Sequence, residues 1–278
     1  MKEIIFLNGK FLSPGEAKIS ALGPGLLYGW GLFESMRSYN KKIVYFDAHL
    51  KRLERCAKLL HIIRPYPPVK LKEIIRRLLK INGHKDAYIR LTLWKGEKGT
   101  DILVTAKKYQ PYPSTRYKNG FRASISSFRQ NEDSYLAQFK TTNYLFYRLA
   151  LMQAIENGFD EAIILNQRGY IAESSRSNLF FIKDKELFTP SLKCGCLDGI
   201  TRQVIFDLAR KYNIKVFAGN FSITDLCASD EAFLTNSLMG IMPLFSLERK
   251  PIGTEKSKRL TKLLIEKYNC LLRFGSLS

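Results

Sequence analysis

The chain has 278 residues, 45% of them hydrophobic, and carries 45 Lys and Arg against 25 Asp and Glu, a formal net charge of +20. That apolar content suits one large or two modest folded domains and excludes a disordered chain. No run of roughly 18 apolar residues occurs, which argues against a membrane-spanning helix.

Met1-Lys-Glu-Ile-Ile-Phe-Leu-Asn-Gly9 reads as a strand and turn. It lacks the apolar core and small-residue cleavage site of a secretion signal, so a cytoplasmic protein is expected. Strands are predicted over Ile4–Leu7, Leu32–Tyr39 and Ile43–Phe46, with Asn40-Lys41 as a turn. Asp47 is a candidate N-cap for a helix with Leu50, Leu53, Ala57 and Leu60 at helical spacing. Pro65, Pro67 and Pro68 interrupt the chain before a second helix, with Leu71, Ile74, Ile75, Leu78 and Leu79 on one side and Gly83 closing it. Ala87–Trp94 and Asp101–Ala106 form a strand pair across Gly96-Glu-Lys-Gly99.

Tyr109-Gln-Pro-Tyr-Pro-Ser114 reads as a proline-stiffened linker. Beyond it the pattern predicts a strand over Arg122–Phe128, a helix over Thr142–Asn157 closed by Gly158, and strands at Glu161–Leu165 and Ile171–Glu173 around a Gln167-Arg-Gly169 turn. Thr201–Tyr212, Lys215–Ala218, Ala232–Thr235 and Glu255–Tyr268 follow as helix, strand, strand and helix. The fold class is α+β in two domains: a small N-terminal domain over 1–112, a linker over 113–118, and a larger domain over 119–278.

The charge invites a nucleic-acid partner. The densest basic stretches, Lys70 to Lys80 and Glu255 to Lys267, nevertheless interleave Lys and Arg with Leu and Ile at helical spacing. That is the pattern of solvated helix faces, so neither nucleic acid nor membrane is expected as a partner. Five cysteines (Cys56, Cys194, Cys196, Cys227, Cys270) share no repeating spacing. Cys194-Gly-Cys196 has no second pair to complete a four-ligand zinc site, so packed, reduced thiols are expected and no metal.

Three segments carry chemistry. Lys140, in Gln138-Phe-Lys-Thr-Thr-Asn-Tyr-Leu145, heads an apolar helical pattern at a strand-to-helix junction. A lysine amine there could attack an aldehyde, provided that burial or nearby positive charge lowers its pKa; the competing reading is one more surface lysine. Glu173 lies in the strand-like Gly169-Tyr-Ile-Ala-Glu-Ser-Ser-Arg-Ser-Asn-Leu-Phe180. Gly199-Ile200-Thr201 opens a helix, whose free amides and dipole favour an anion.

The order and spacing of these motifs resemble the fold-type IV pyridoxal-phosphate enzymes: branched-chain aminotransferase, D-amino acid aminotransferase and aminodeoxychorismate lyase. The resemblance implies a small N-terminal α/β sandwich and a larger C-terminal pseudo-barrel, with the cofactor in the cleft between them, and a homodimer. It implies that Lys140 forms the Schiff base with pyridoxal 5'-phosphate and that Glu173 keeps the pyridine nitrogen protonated. Arg52, the amides of Ile200 and Thr201, the Thr201 hydroxyl and Ser237 would hold phosphate. Ser237 stands where the family usually has threonine. Tyr144 would place its phenol against the ring oxygen, with core packing as the competing reading. Arg37, Arg90 and Tyr88, with Leu238 and Met239, are the implied substrate contacts; for both arginines, structural ion pairing is the alternative.

The implied reaction is amino transfer between an amino acid, branched-chain-like or D-, and a 2-oxo acid such as 2-oxoglutarate. Aminodeoxychorismate lyase, which releases pyruvate and 4-aminobenzoate, is the alternative. Tyr88-Ile-Arg90 follows the branched-chain enzymes, but Leu91 replaces their next proline and Ser35 replaces their glycine in Phe33-Glu-Ser-Met-Arg37. These departures leave the subfamily, and the hand of the substrate, open.

Overall fold

The computed structural model describes residues 3–253 and 259–274. The chain divides into two units, Met1–Pro111 with Phe139–Asn143, and Tyr112–Gln138 with Tyr144–Ser278. The short stretch bearing Lys140 thus belongs with the first unit although it lies far along the chain.

The first unit contains β1 (Ile5–Leu7), β2 (Lys10–Leu12), α1 (Pro24–Leu27), β3 (Gly31–Tyr39), β4 (Lys42–Ile43), α2 (Phe46–Leu59), α3 (Pro68–Ile81), β5 (Ala87–Lys95) and β6 (Thr100–Lys108). Its strands form a six-stranded antiparallel sheet in the order β2-β1-β6-β5-β3-β4. Strand alternation sorts β3 into two faces. Leu32 and Met36 join Leu50 and Leu53 of α2, Leu71 and Ile75 of α3, and Ile89 and Leu91 of β5 in one buried core. Phe33, Ser35 and Arg37 point to the opposite face, beside Thr92, Arg90 and Tyr88, their register partners on β5.

The start of α2 differs from the sequence expectation. Phe46 begins the helix instead of ending a strand, and the cap is Tyr45 in the left-handed region (φ 50°), with Asp47 inside the first turn. The chain must reverse after the two-residue β4, and Tyr45 absorbs that reversal. Asp47 still favours the helix from the first turn, through the dipole.

The second unit contains α4 (Ser114–Asn119), β7 (Phe121–Gln130), α5 (Leu145–Glu156), β8 (Glu161–Asn166), β9 (Ile171–Ser174), β10 (Asn178–Lys183), β11 (Glu186–Pro190), α6 (Ile200–Lys211), β12 (Val216–Gly219), α7 (Ile223–Cys227), β13 (Glu231–Asn236), β14 (Gly240–Leu247), β15 (Lys250–Pro251) and α8 (Arg259–Phe274). The span expected as a linker carries the helix α4. The strands form a mixed sheet ordered β12-β11-β10-β13-β14-β7-β8-β9, with β15 on β14. Part of the predicted helix Glu255–Tyr268, its first four residues, lies outside the described residues; α8 takes up the rest. Phe121, Leu179, Phe181, Leu234 and Met242 centre this unit's core. Among the described residues no helix is long and apolar enough to cross a membrane.

Candidate active site

Lys140 lies ahead of its helix, at the strand-to-helix junction expected from the sequence, although α5 begins at Leu145 and not at Thr142. It sits in an extended stretch five residues before α5, stitched to the start of β3. The Phe33 amide donates to the Lys140 carbonyl (2.9 Å), and the Thr142 amide donates to the Gly31 carbonyl (2.9 Å). Thr142 Oγ1 and Asn143 Nδ2 both donate to the Gly29 carbonyl (2.7 and 2.9 Å). Gly29 has φ +63°, and a Cβ there would lie 2.3 Å from Asn143 Oδ1, so this approach requires glycine.

These bonds aim the Lys140 side chain at the polar face of the sheet. Its Nζ lies 4.5 Å from the Phe33 ring centroid, and the Arg90 guanidinium lies 3.7 Å from the same centroid. Further along this face Ser35 Oγ and the Tyr88 hydroxyl are 3.3 Å apart. The Arg37 guanidinium stacks 4.0 Å from the Tyr109 ring, and its Nε is a buried donor without a hydrogen-bond partner among the described residues. Lys140, Arg90, Tyr88 and Arg37 are therefore brought to one face. Its charge is positive, and its aromatic floor favours cations.

Arg52 lies on α2. It is 6% exposed, and it donates through Nε to Glu34 Oε1 (2.8 Å) and through Nη2 to Glu34 Oε2 (2.6 Å). His49 Nδ1 lies 2.6 Å from the same Oε2. Burial alone would raise the Glu34 pKa, but the Arg52 charge and the hydrogen bonds from His49 and Arg52 hold it at about 2. For His49 burial is the largest influence and lowers the pKa; the Glu34 hydrogen bond and charge oppose it, the Arg52 and Lys140 charges reinforce it, and the net direction is down. A neutral imidazole donating from Nδ1 follows. The fork of Arg52 is thus oriented by a buried carboxylate and histidine one turn apart from it on the same core.

In the second unit, Glu173 on β9 is 6% exposed and accepts from the Tyr147 hydroxyl (3.1 Å) and the Leu197 amide (3.2 Å). Burial and the Glu173 charge both push the Tyr147 phenol up, so it stays protonated and donates. The Tyr144 and Tyr147 rings stack at 5.0 Å, and the Tyr144 hydroxyl donates to the Ser175 carbonyl (2.8 Å). The corner after Glu173 is locked by Glu161, fully buried, which accepts from the Ser175 hydroxyl and from Arg176 Nε (3.0 Å). Tyr147→Phe is expected to cost about 1.5–3 kcal/mol, the worth of a hydrogen bond to a buried charge; urea unfolding of the two proteins measures it.

The Glu173 segment and α6 are coupled through one loop. Asn178 Nδ2 donates to the Leu197 carbonyl (2.8 Å), and a Cβ on Gly199, the cap of α6, would lie 2.0 Å from Asn178 Oδ1. Ile200 and Thr201 occupy the first turn of α6, where backbone amides have no intrahelical acceptor, and both side chains are buried. Ser237 is half-buried in the turn after β13, where Asn236 Oδ1 accepts from the Leu238 and Met239 amides (3.0 and 2.8 Å). The Met239 side chain packs in the second unit's core.

Cys194 and Cys196 are buried, free thiols. Cys194 Sγ donates to Asn220 Oδ1 (3.2 Å) and Cys196 Sγ to the Ser191 carbonyl (3.4 Å). Burial, reinforced by the charge of Glu173, raises the Cys196 pKa and keeps it a thiol.

Sequence patterns missed Glu34, His49, Tyr147, Glu161 and Arg176. Met36 and Leu32 alternating with Glu34 offered one signal, since that spacing puts the carboxylate on the core face.

The amino-transferase class IV family matches residues 31–247. A Methanocaldococcus jannaschii protein provisionally named a branched-chain-amino-acid aminotransferase is 34% identical over 272 residues, covering 95% of this chain and 94% of its own. The Bacillus subtilis aminodeoxychorismate lyase is 30% identical over 272 residues, with 94% and 92% covered. The crystal structure of the Escherichia coli branched-chain amino acid aminotransferase superposes with a TM-score of 0.92 at 27% identity, covering 98% of this chain and 95% of that one.

Proposed function

The chain belongs to the class IV aminotransferase family, and from that premise we propose that it is a branched-chain amino acid aminotransferase dependent on pyridoxal 5'-phosphate. The amino group would pass from the amino acid to a 2-oxo acid such as 2-oxoglutarate. The observation that carries the reading is Lys140. Its backbone is pinned to β3, and its amine lies over Phe33 with Arg90, on the sheet face that also bears Tyr88 and Arg37. A solved branched-chain aminotransferase of similar fold carries pyridoxamine 5'-phosphate (TM-score 0.91, 29% identity).

The residues present fit the cofactor. It needs an amine, an anionic group for its ring nitrogen, and donors for its phosphate. Lys140 supplies the first, and Glu173, buried and fixed by Tyr147 and Leu197, supplies the second. The first-turn amides of α6, the Thr201 hydroxyl, Ser237 and Arg52 supply the third. When bound, pyridoxal phosphate supplies an electron-withdrawing ring that makes the substrate Cα proton labile.

Each residue then has a defined task. Lys140 Nζ would take the proton from the substrate Cα as a base and hand it back as an acid. The Glu173 carboxylate would favour a protonated ring nitrogen through its negative charge. Arg90 and Arg37 offer forked donors to the substrate carboxylate, and the otherwise unused Nε of Arg37 is available for such a bond. Tyr144, whose hydroxyl donates to Ser175 here, stacks on Tyr147 and steadies the partner of Glu173.

A lyase acting on 4-amino-4-deoxychorismate is the second reading, favoured by the Bacillus subtilis relative and by Ser35, which puts a hydroxyl beside Tyr88. Incubation with leucine and 2-oxoglutarate is expected to yield glutamate. Pyruvate from aminodeoxychorismate, with no turnover of any amino acid pair, would overturn the transferase reading. D- and L-leucine run side by side assign the hand of the substrate.

A further inference from the structure

Glu173 is a buried carboxylate, and each of its oxygens meets a donor from a different part of the second unit. The Tyr147 hydroxyl, on α5, donates to Oε1 (3.1 Å), and the Leu197 amide, in the loop before α6, donates to Oε2 (3.2 Å). Burial by itself favours a neutral carboxyl, whereas hydrogen bonds accepted by the charged form favour the anion. Of these two donors, Leu197 offers backbone that no side-chain substitution removes, and Tyr147 is the one that the sequence can change. The Tyr147 ring has little freedom. It stacks on Tyr144 at 5.0 Å, meets Phe146 edge-on at 5.1 Å and packs against Ala150, Ala154, Ala162 and Ile164. Its phenol stays protonated, because burial and the Glu173 charge push its pKa up.

We propose that Tyr147 is a positioning residue whose hydroxyl keeps Glu173 ionised against its burial, and thereby sets how far into acid the reaction runs. That the charge serves the ring nitrogen of pyridoxal phosphate rests on the proposed function. A phenol suits the task because it is a neutral donor. It stabilises the anion without cancelling its charge, as Arg52 cancels that of Glu34 in the first unit. The other groups near the carboxylate are occupied differently. Tyr144 spends its hydroxyl on the Ser175 carbonyl, and burial together with the Glu173 charge keeps Cys196 a thiol. On β8 the register partner of Glu173 is the apolar Ile164, and at the corner beyond, Arg176 Nε donates to Glu161 (3.0 Å). Packing alone would need only the Tyr147 ring, which phenylalanine supplies; the hydroxyl is what the anion uses.

Carboxyl-labelled glutamate in the full chain, without added cofactor, lets NMR follow the Glu173 titration, with the signal assigned by its absence from Glu173→Gln. Tyr147→Phe is expected to raise the midpoint by about one to two pH units, the worth of a hydrogen bond to a charged group. In the cofactor-loaded enzyme the acid limb of kcat is expected to move up by the same amount, with KM little changed. Should Tyr147→Phe fail to fold, an ortho-fluorinated tyrosine at position 147 decides. It keeps the ring and is the stronger donor, so it is expected to lower the midpoint. A midpoint that neither replacement moves overturns the proposal, since Tyr147 would then only fill space. The two readings fail separately. A shifted midpoint in a chain that binds no pyridoxal phosphate supports the control of Glu173 by Tyr147 and overturns the function it rests on. An unmoved midpoint in a chain that binds pyridoxal phosphate and turns over overturns the role of Tyr147 alone.

Discussion

Lys140→Ala leaves a folded chain that borohydride cannot join to pyridoxal phosphate, and its amino-transfer rate falls by more than about 10³-fold. The loss is chemical because the structure around position 140 is made by backbone. The Phe33 and Thr142 amides and the Gly29 and Gly31 carbonyls hold the stretch, and none of these bonds uses the Lys140 side chain. Thermal unfolding of the cofactor-free variant should therefore match the parent closely. Peptide mass mapping after borohydride treatment reads the outcome. A modified peptide at another lysine, with the rate retained, would remove Lys140 from the proposed role.

Arg52→Ala acts on stability as strongly as on cofactor affinity, and its expected cost is about 3–5 kcal/mol, the penalty for leaving a buried charge unpaired. Glu34, 1% exposed, would keep His49 but lose both bonds to the guanidinium. The pH dependence gives the prediction a sign. In the parent, Glu34 is held at about 2, below the value of about 4.3 for an unfolded chain. The unfolded chain therefore takes up the proton first as acid is added. The stabilisation is complete above about pH 4.3 and is lost as pH falls toward 2. Without Arg52 burial dominates and raises the Glu34 pKa, so this group then favours the folded state at low pH. Urea unfolding at pH 7 and near pH 3 should show the gap between parent and variant shrinking on acidification. A gap independent of pH would mean that Glu34 is not the partner that matters.

Much of the fold could be read locally. Strand alternation in β3, β5 and β6 and the three- and four-residue spacing in α2 and α3 need only neighbouring residues, and each element is present within a few positions of its expected range. The errors fell where the chain turns. Asp47 has the chemistry of a cap, yet the reversal after β4 moved the cap to Tyr45. Thr142 to Tyr144 read as the first turn of a helix, yet Thr142 is engaged by Gly31, the first residue of β3, and by Gly29 just before it, more than a hundred residues earlier. A hydrogen bond over such a separation leaves no periodic trace.

The ordered residues that could do chemistry, Lys140, Glu173, Arg52 and the start of α6, were set by the sequence itself, because motif spacing along a strand or helix start is a one-dimensional property. What tertiary structure alone decided is how those groups are held. Glu34 and His49 orient Arg52, Tyr147 and Leu197 fix Glu173, and β3 anchors the stretch of Lys140. Each of these supports joins segments far apart in the chain. A buried charge is tolerable only where the fold delivers its partners to within hydrogen-bond distance, and that delivery is a property of packing.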